Sequence, residues 1–360
     1  MNFNFYLIKS FRILLFPFAF IYGLIIIVRN YLYDKNILKS ASFNFPIINV
    51  GNLAVGGTGK SPMVEYLLRL LQDEYKAATL SRGYKRKTKG YALANDDTTA
   101  LEIGDEPMQF HTKFPGVAVA VGEERIVAIP QLLHDRPHTQ VIILDDAFQH
   151  RAIKAGLNIL LTDYNNLFTR DLFLPMGDLR DQRRSYKRAD IIVVTKCPAS
   201  LQQEEKKKIE KEISPLPHQQ VFFTTIQYGV PYHIITKQPK PITEDDEVLL
   251  VCGIANPRPL EQYIVQQAKT YYEQSYSDHH IFTIDDLRDI RRKFEELQQP
   301  AFIVTTEKDA MRLIKFRNEL IDMPMFVLPV RHRFLYDGGM RFDELVHTFI
   351  RRFSANKNNI

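Results

Sequence analysis

Short apolar runs alternate with amphipathic segments along most of the chain. In the first two thirds, runs rich in Val, Ile, Leu and Ala predict buried strands at 46–50, 77–80, 117–121, 141–144, 157–162 and 191–195. Apolar residues recur at helical spacing between several of these runs, as in 63–71 and 123–133. Because buried runs separated by helices are typical of parallel sheets, the pattern predicts an α/β fold with a doubly wound, mostly parallel sheet.

A second, smaller α/β unit is predicted in the last third of the chain. Apolar runs at 248–251, 301–305 and 325–328 predict three strands, and 342–353 has the spacing of an amphipathic helix. The preceding residues contain three prolines and show no helical periodicity, so we predict an extended linker there, either unpaired or folded as two paired strands. The predicted division is an N-terminal segment (1–35), a first α/β domain (36–227), the linker (228–246) and a C-terminal α/β domain (247–360).

Residues 13–28 form an uncharged and strongly apolar segment. Its 16 residues are fewer than the ~20 that a helix needs to cross a bilayer. Lys9 and Arg12 precede it, and Arg29 and Lys35 follow it. The alternatives are a cleaved signal peptide, a buried core helix and a helix that enters one leaflet. No small-residue cleavage site follows the segment, and the flanking cations and tyrosines favour a membrane-associating helix. The pattern leaves open whether this helix spans the bilayer or dips into it.

Composition and charge narrow the class of protein. The chain has 360 residues, enough for two domains, and 45% of them are hydrophobic, as in globular proteins. The net charge of +5 fits an anionic substrate or a membrane surface, and we predict neither a nucleic-acid nor a protein partner. The only cysteines, Cys197 and Cys252, exclude a disulfide framework and a cysteine-based zinc site.

A glycine-rich turn follows the first predicted strand and leads directly into a predicted helix. This order of strand, loop and Lys-Ser at the helix start is that of a P-loop, although Ala54 stands where the strict pattern has glycine. Backbone N–H groups of such a loop and the helix N-terminus bind phosphate oxygens. We predict that phosphates are bound by Gly56, Gly57, Thr58, Gly59, Lys60 and Ser61, with Lys60 on the β/γ-phosphates and Ser61 also on Mg²⁺. The alternative is an ordinary glycine-rich turn before a helix.

Two acidic motifs follow at positions that suit phosphate chemistry. Asp145 and Asp146 end an apolar strand, where a carboxylate can hold Mg²⁺ opposite Ser61; the alternative is a turn with two solvated acids. Asp105 begins a predicted helix, so it either caps that helix or accepts a proton from an attacking hydroxyl group. Its residue type and position do not decide between these two roles.

Basic and histidine-containing segments supply further candidates. The loop at 81–90 is rich in Lys and Arg, and Arg82 directly follows a strand, so it is the candidate to face an anionic head group. The alternative is a solvated basic loop. Asp278, His279 and His280 lie in the second unit, where one histidine could orient a catalytic carboxylate. Two adjacent histidines without further ligands argue against zinc.

The nucleotide is predicted to be ATP. P-loop GTPases carry an [N/T]-K-x-D element after a strand, and here Thr195 and Lys196 are followed by Pro198 in place of the aspartate. Two other classes remain as alternatives at this point: a membrane-tethered GTPase switch and a MinD-like membrane ATPase. The second usually has another lysine early in the loop, where this chain has Ala54 and Val55.

Taken together and in order, these segments resemble the tetraacyldisaccharide 4′-kinase family, the lipid A 4′-kinases of Gram-negative bacteria. The resemblance lies in residues 50–62, 81–84, 104–107, 144–151, 174–181, 278–280 and 305–310. It implies a P-loop NTPase-like fold and transfer of the ATP γ-phosphate to the 4′-hydroxyl of tetraacyldisaccharide 1-phosphate, which gives lipid IVA. It also implies a cytoplasmic position at the inner membrane, as a peripheral or monotopic protein.

The resemblance also assigns roles to single residues. Asp105 resembles the catalytic base of the family and His279 its histidine partner, with the register leaving His280 as the alternative. Lys60 holds the triphosphate and assists catalysis. Mg²⁺ is held by Ser61 with Asp145 or Asp146, and which of the two aspartates binds it directly stays open. The predicted substrate-binding residues are Arg82, Gln149, His150 and Arg151. The chain departs from the family pattern at Ser61, at Ala147 and at Asp181, whose role is therefore left unassigned.

Overall fold

The structure, a computed structural model, describes residues 12–357, with side chains to residue 353. Its strands are β1 (Ala41–Ser42), β2 (Ile47–Asn52), β3 (Ala77–Ser81), β4 (Ala92–Leu93), β5 (Ala118–Val121), β6 (Val141–Asp145), β7 (Ile153–Lys154), β8 (Leu157–Asp163), β9 (Ile191–Thr195), β10 (Gln220–Tyr228), β11 (Tyr232–His233), β12 (Glu247–Cys252), β13 (Thr270–Ser275), β14 (Ala301–Thr306), β15 (Met325–Leu328) and β16 (Val330–Phe334). Its α-helices are α1 (Phe16–Asp34), α2 (Lys60–Leu71), α3 (Ala100–Ile103), α4 (Asp105–Lys113), α5 (Arg125–Asp135), α6 (Gln203–Ile213), α7 (Arg258–Gln267), α8 (Ile284–Glu295), α9 (Glu307–Leu313), α10 (Arg317–Leu320) and α11 (Gly338–Lys357).

The larger sheet has nine strands in the order β16-β10-β9-β8-β2-β6-β3-β5-β4. Its neighbouring strands are parallel except at the two edges, where β16 and β4 run antiparallel to β10 and β5. The second sheet has five strands in the order β11-β15-β14-β12-β13 and is parallel except at β11. This architecture confirms the predicted α/β class, with a doubly wound, mostly parallel sheet and a second, smaller unit.

The division between the two units differs from the predicted one. After β15 the chain returns to the larger sheet, where β16 pairs with β10. The apolar face of α11 then packs into the core of that sheet through Phe342, Val346 and Ile350. In addition, the predicted linker contributes β11, which pairs with β15 of the second sheet. The second unit thus runs from β11 to β15, because the last amphipathic helix covers the larger sheet rather than the smaller one.

Helix α1 lies on the outside of the larger unit. It is long and apolar enough to cross a membrane, with a mean hydropathy of 1.4 over its best 18-residue window, and only 17% of that window is buried. The exposed side chains include Phe16, Phe18, Phe20, Ile21, Leu24, Ile25 and Val28. A buried core helix is therefore the wrong alternative. Residues 1–11, which include Lys9, lie outside the described part of the chain.

A few polar contacts dock α1 on the protein. The buried Asn30 donates from Nδ2 to Asp181 Oδ1 at 2.7 Å, and Arg151 pairs with Asp34 at 2.6 Å. Tyr22 donates its hydroxyl hydrogen to the backbone oxygen of Arg180 at 3.1 Å. Asp181, which the sequence analysis left unassigned, is buried, accepts the hydrogen bond from Asn30 and pairs with Arg188 at 2.7 Å. It therefore ties the apolar helix to the loop that follows β8.

The two units meet along helices α4 and α9 through buried charges. Lys113 of α4 lies between two carboxylates, Glu65 of α2 at 2.5 Å and Glu307 of α9. Burial, followed by the charge of Glu65, raises the pKa of Glu307, and Lys113 opposes that shift. Lys308 of α9 pairs with Glu106 of α4 at 2.5 Å. Because breaking a buried ion pair is costly, these ion pairs hold the second unit next to α2.

Candidate active site

The phosphate-binding loop lies between β2 and α2, as predicted. Gly56 and Gly59 have left-handed backbone angles, with φ of 98° and 85°. A side chain at Gly59 would also collide with the imidazole of His332, at 2.9 Å from its Cβ. Glycine is therefore required at position 59 for both conformation and space. The first N–H groups of α2 follow directly and face the loop, which suits an anion.

Residues of three strands of the larger sheet hold this loop in place. Asn52 at the end of β2 donates from Nδ2 to Thr58 Oγ1 at 2.8 Å, and Thr195 at the end of β9 donates to the Thr58 carbonyl oxygen at 2.9 Å. His332 of β16 lies 2.8 Å from the Gly59 carbonyl oxygen through Nε2. Thr58 is buried, its side chain and carbonyl oxygen help to hold the loop, and its N–H donates to the Gly56 carbonyl oxygen at 3.1 Å.

His332 is a residue that the sequence analysis missed. It is buried, and burial lowers its pKa to about 4, so the imidazole is neutral near pH 7. A carbonyl oxygen only accepts hydrogen bonds, so Nε2 carries the hydrogen and Nδ1 accepts from the Thr224 hydroxyl at 3.0 Å. No motif marks this histidine, because the return of β16 to the larger sheet brings it to the loop.

The two aspartates at the end of β6 have different environments. Asp145 is buried, and this burial, with the charges of Asp146 and Glu106, raises its pKa to about 7. Ser81 donates its hydroxyl hydrogen to Asp145 Oδ2 at 3.3 Å. Burial also tends to raise the pKa of Asp146, but Lys60 and Arg180 lower it overall.

Asp146 is paired with two cations. Arg180 forms a forked contact with both of its carboxylate oxygens, and Lys60 Nζ lies 3.8 Å from Oδ1. Burial lowers the pKa of Lys60, and Asp146 opposes this shift. The Lys60 ammonium group therefore lies beside the loop, where a bound phosphate can replace Asp146 as its ion-pair partner. Arg180 lies within the segment 174–181 but was not singled out from the sequence.

Oxygen donors suited to Mg²⁺ lie near the loop. Asp145 has no Lys or Arg ion-pair partner within the part of the chain that the structure describes, and Ser61 lies in the first turn of α2. Among residues 12–357 there is no cluster of three or more His, Cys, Asp or Glu side chains that could hold a metal. This agrees with Mg²⁺, which usually takes one or two carboxylates and completes its shell with water and phosphate oxygens.

Asp105 lies where the two units face each other. It is the first residue of α4, and its Oδ2 atom lies 3.1 Å from His279 Nδ1 of the second unit. Arg312 of α9 contacts the same oxygen, with Nε at 3.0 Å. His280 points elsewhere: its Nε2 atom lies 2.9 Å from Asp286 Oδ2, and its ring stacks on Tyr276. The structure thus brings His279 and not His280 to Asp105, while Arg312 was missed from the sequence.

The predicted substrate-binding residues divide into two groups. Arg82 is exposed. Burial and the charges of Arg125, Arg29 and Arg82 lower the pKa of His150 to about 4, so His150 lies within electrostatic reach of three arginines. The guanidinium of Arg151 binds Asp34 and the Asn30 carbonyl oxygen of α1. Its position is that of an anchor for α1.

Gln149 bridges α1 and the phosphate-binding strand. Its side chain donates to the Asn52 carbonyl oxygen at 2.7 Å, and its own carbonyl oxygen accepts from Arg29 at 2.9 Å. The side chain is therefore fixed beside the end of β2. The buried Arg125, which the sequence analysis missed, donates to the carbonyl oxygens of Gly122 and Glu123.

Comparison with known proteins decides the family. A family model described as tetraacyldisaccharide-1-P 4′-kinase matches residues 11–350. The chain belongs to this family. Tetraacyldisaccharide 4′-kinases from Phocaeicola vulgatus and Flavobacterium johnsoniae are 42% and 45% identical to it. The aligned regions cover 96% of both chains in the first case, and 94% of this chain and 97% of the relative in the second.

A solved structure agrees with this assignment. The crystal structure of LpxK from Aquifex aeolicus in complex with ATP superimposes with a TM-score of 0.74 and is 28% identical. It covers 94% of this chain and 99% of its own. The resemblance to the tetraacyldisaccharide 4′-kinase family drawn from the motifs is therefore confirmed. The chain is a kinase, and the alternatives of a GTPase switch and a MinD-like ATPase are wrong.

Proposed function

We propose that the chain transfers the γ-phosphate of ATP to the 4′-hydroxyl of tetraacyldisaccharide 1-phosphate and so forms lipid IVA in lipid A biosynthesis. The observation that carries this proposal is the Asp105–His279 contact of 3.1 Å between the two units of a chain with a P-loop at the start of α2. Together with burial, Glu106, next to Asp105, raises the pKa of Asp145, and Lys308 lowers the pKa of Lys60. Charges beside the proposed base therefore lie within electrostatic reach of the phosphate loop.

The phosphate side of the reaction is assigned to the loop. The backbone N–H groups of residues 56–61 bind the triphosphate, and the Lys60 ammonium neutralises its β and γ oxygens. Ser61 with Asp145 or Asp146 would hold Mg²⁺, and the ion would draw negative charge from the same oxygens. Lys60 and Arg180 lower the pKa of Asp146 and keep it ionised, and both are its ion-pair partners.

The acceptor side is assigned to Asp105. The acceptor oxygen bonds to the γ-phosphorus while the bond from that phosphorus to the β–γ bridging oxygen breaks, and ADP leaves. The proton of the 4′-hydroxyl passes to the Asp105 carboxylate, which His279 orients. Phosphoryl transfer needs little covalent help from the protein, so the main work of these residues is to position the hydroxyl and compensate charge.

The arginine cluster around His150 is assigned to the anionic lipid head group. Burial and the charges of Arg125, Arg29 and Arg82 lower the pKa of His150, so these guanidinium groups lie within electrostatic reach of it. Arg29 belongs to α1, whose apolar face is exposed, so the cluster lies where a lipid held by α1 would present its polar end. We therefore assign substrate binding to Arg82, Gln149 and His150.

A transfer assay tests this function. Detergent-solubilised protein with γ-labelled ATP, Mg²⁺ and tetraacyldisaccharide 1-phosphate is expected to move label into the lipid. Removal of Mg²⁺ by EDTA should abolish the transfer, and GTP should replace ATP poorly. Label found only in inorganic phosphate, with none in the lipid, would contradict the proposed acceptor.

The membrane position of the chain is also a proposal. The exposed apolar side chains of α1, with cations and tyrosines at its end, are suited to one leaflet of a bilayer. Because the ATP substrate is cytosolic, we place the protein on the cytoplasmic face of the inner membrane, as a peripheral or monotopic protein. We assign it no nucleic-acid and no protein partner.

Flotation with anionic phospholipid vesicles tests this position. We expect the double variant Leu24→Gln/Ile25→Gln to bind vesicles at least ~10-fold more weakly, since each buried aliphatic side chain contributes about 1.5–3 kcal/mol. The matched control is Val265→Gln/Ile321→Gln, which changes two equally exposed apolar residues of the second unit and should bind as the wild type does. Equal vesicle binding by both double variants would refute the role of α1.

A further inference from the structure

We propose that Arg312 is a positioning residue that holds Asp105 in one orientation and joins it to His279. The proposal rests on the role of Asp105 given above. Arg312 lies on α9 in the second unit, and its side chain is 7% exposed. It contacts Asp105 Oδ2 through both Nε, at 3.0 Å, and Nη2. His279 Nδ1 lies 3.1 Å from this same oxygen.

These contacts divide the two oxygens of the Asp105 carboxylate. Oδ2 faces two guanidinium N–H groups and one imidazole nitrogen, whereas Oδ1 has no such partner among the contacts of the described residues. An ionised carboxylate has about four acceptor positions, so Oδ2 is saturated while Oδ1 keeps its lone pairs. Arg312 therefore determines which oxygen is available to take the proton of the acceptor hydroxyl.

Arg312 also links Asp105 to His279. Its Nη2 atom lies 3.0 Å from His279 Nδ1, and a guanidinium has only donors. If His279 carries its hydrogen on Nε2, Arg312 donates to both side chains and holds them together. If the hydrogen is on Nδ1, His279 donates to Asp105 directly, and Arg312 donates to Asp105 alone. In both tautomers Oδ2 is the bound oxygen and Oδ1 the free one.

Arg312 is itself held by a buried support. Its Nη1 atom donates to Asp309 Oδ1 at 3.2 Å. Asp309 is fully buried, and its Oδ2 accepts from the Gly253 N–H at 3.0 Å and from the Thr306 hydroxyl at 2.7 Å. The guanidinium is therefore fixed to the ends of β12 and β14. Through it the second sheet sets the orientation of a side chain that belongs to the larger unit.

The test is the kinetics of Arg312→Ala with chemical rescue. We expect kcat to fall ~100-fold, the loss typical of a catalytic group displaced by about 1 Å, while KM for ATP changes less than ~3-fold. The deletion leaves a space beside Asp105 and Asp309 that matches a guanidinium ion. Added guanidinium at non-denaturing concentration should therefore restore part of kcat, and methylammonium, which lacks the planar fork, should restore less.

A conservative variant and a control variant test whether the fork of the Arg312 guanidinium is needed. Arg312→Lys retains a cation near Asp309 and should fold if the alanine variant does not, yet it should still lose ~10-fold in kcat because it lacks the fork. Arg292→Ala removes an exposed arginine paired with Asp289 and should keep wild-type kcat without a response to guanidinium. If Arg312→Lys keeps wild-type kcat, or if Arg312→Ala folds and guanidinium leaves its kcat unchanged, the proposal is overturned.

Asp105→Asn, measured beside these variants, separates the positioning role of Arg312 from the role of Asp105 as the base. A large loss in Asp105→Asn with normal kcat in both Arg312 variants would overturn only the positioning role. Normal kcat in Asp105→Asn would remove the proposed base, and the role of Arg312 would fall with it.

Discussion

Replacement of Lys60 by alanine is expected to lower kcat by roughly 10²–10³-fold, the loss seen when one preorganised hydrogen-bond donor that stabilises a transition state is removed. Lys60 is the first residue of α2 and lies 3.8 Å from Asp146, in a region where burial lowers its pKa. Its charge is therefore poorly screened by water and acts strongly on a phosphate placed in the loop. Steady-state transfer of label to the lipid measures this effect.

The fold of Lys60→Ala should survive, because Asp146 keeps its forked contact with Arg180. The matched control is Lys240→Ala, which removes a lysine paired with the buried Asp246 in the second unit, at 3.1 Å. This control should keep wild-type kcat, whatever it does to the melting temperature. A Lys60→Ala enzyme with near-normal turnover would exclude the phosphate-binding role of the loop.

Asp105→Asn is expected to lower kcat by ~10²–10⁴-fold, the range for loss of a general base, with nearly unchanged affinity for ATP. Asparagine keeps the shape of the side chain and an oxygen for Arg312, but its amide is a far weaker base than a carboxylate. ATP affinity, measured by calorimetry, separates the chemical step from nucleotide binding. If ATP affinity fell and kcat did not, Asp105 would be a structural cap of α4.

The two neighbouring histidines provide a matched pair for the same question. His279→Ala should lower kcat, because His279 contacts Asp105 at 3.1 Å. His280→Ala removes a similar side chain that binds Asp286 at 2.9 Å instead, so it should leave kcat close to the wild-type value. Equal losses in both variants would contradict the assignment of His279.

Nine strands of the two sheets could be predicted from sequence because they are largely buried on both faces and appear as continuous apolar runs: β2, β3, β5, β6, β8, β9, β12, β14 and β15. Strands β6 and β9, for example, are buried at every position. The domain boundary could not be predicted in the same way. The amphipathic pattern of α11 shows that one face is buried, but not which sheet covers it. The edge strand β16 has apolar residues only at its two ends, Val330 and Phe334, and is followed closely by this helix, so the sequence does not show that it pairs with β10.

The site shows the same difference between local and long-range information. The P-loop and the aspartates of β6 are local features, because strand, turn and helix follow one another in sequence. Arg312 and His332 act through contacts with Asp105 and Gly59, more than 200 positions away. For Arg312 one signal was available: it lies three residues after Asp309, at the spacing of one helical turn.

Arg151 has a tertiary contact that its motif does not reveal. It follows the motif of the two aspartates, and its charge suits an anionic substrate, but the structure uses it to bind Asp34 of α1. The sequence shows that α1 is apolar, and it does not show where the helix docks. The contacts of Asn30 and Asp181, 151 positions apart, were equally inaccessible to local patterns.

The position of the added phosphate on the lipid product tests the proposed 4′-phosphorylation most directly. After the reaction with ATP and Mg²⁺, tandem mass spectrometry and phosphorus–proton correlation NMR locate the added group. We expect one phosphate added per ATP consumed, attached to the 4′-oxygen, with the 1-phosphate retained. A phosphate on another hydroxyl or on the existing 1-phosphate, or ATP consumption without a phosphorylated lipid, would contradict it.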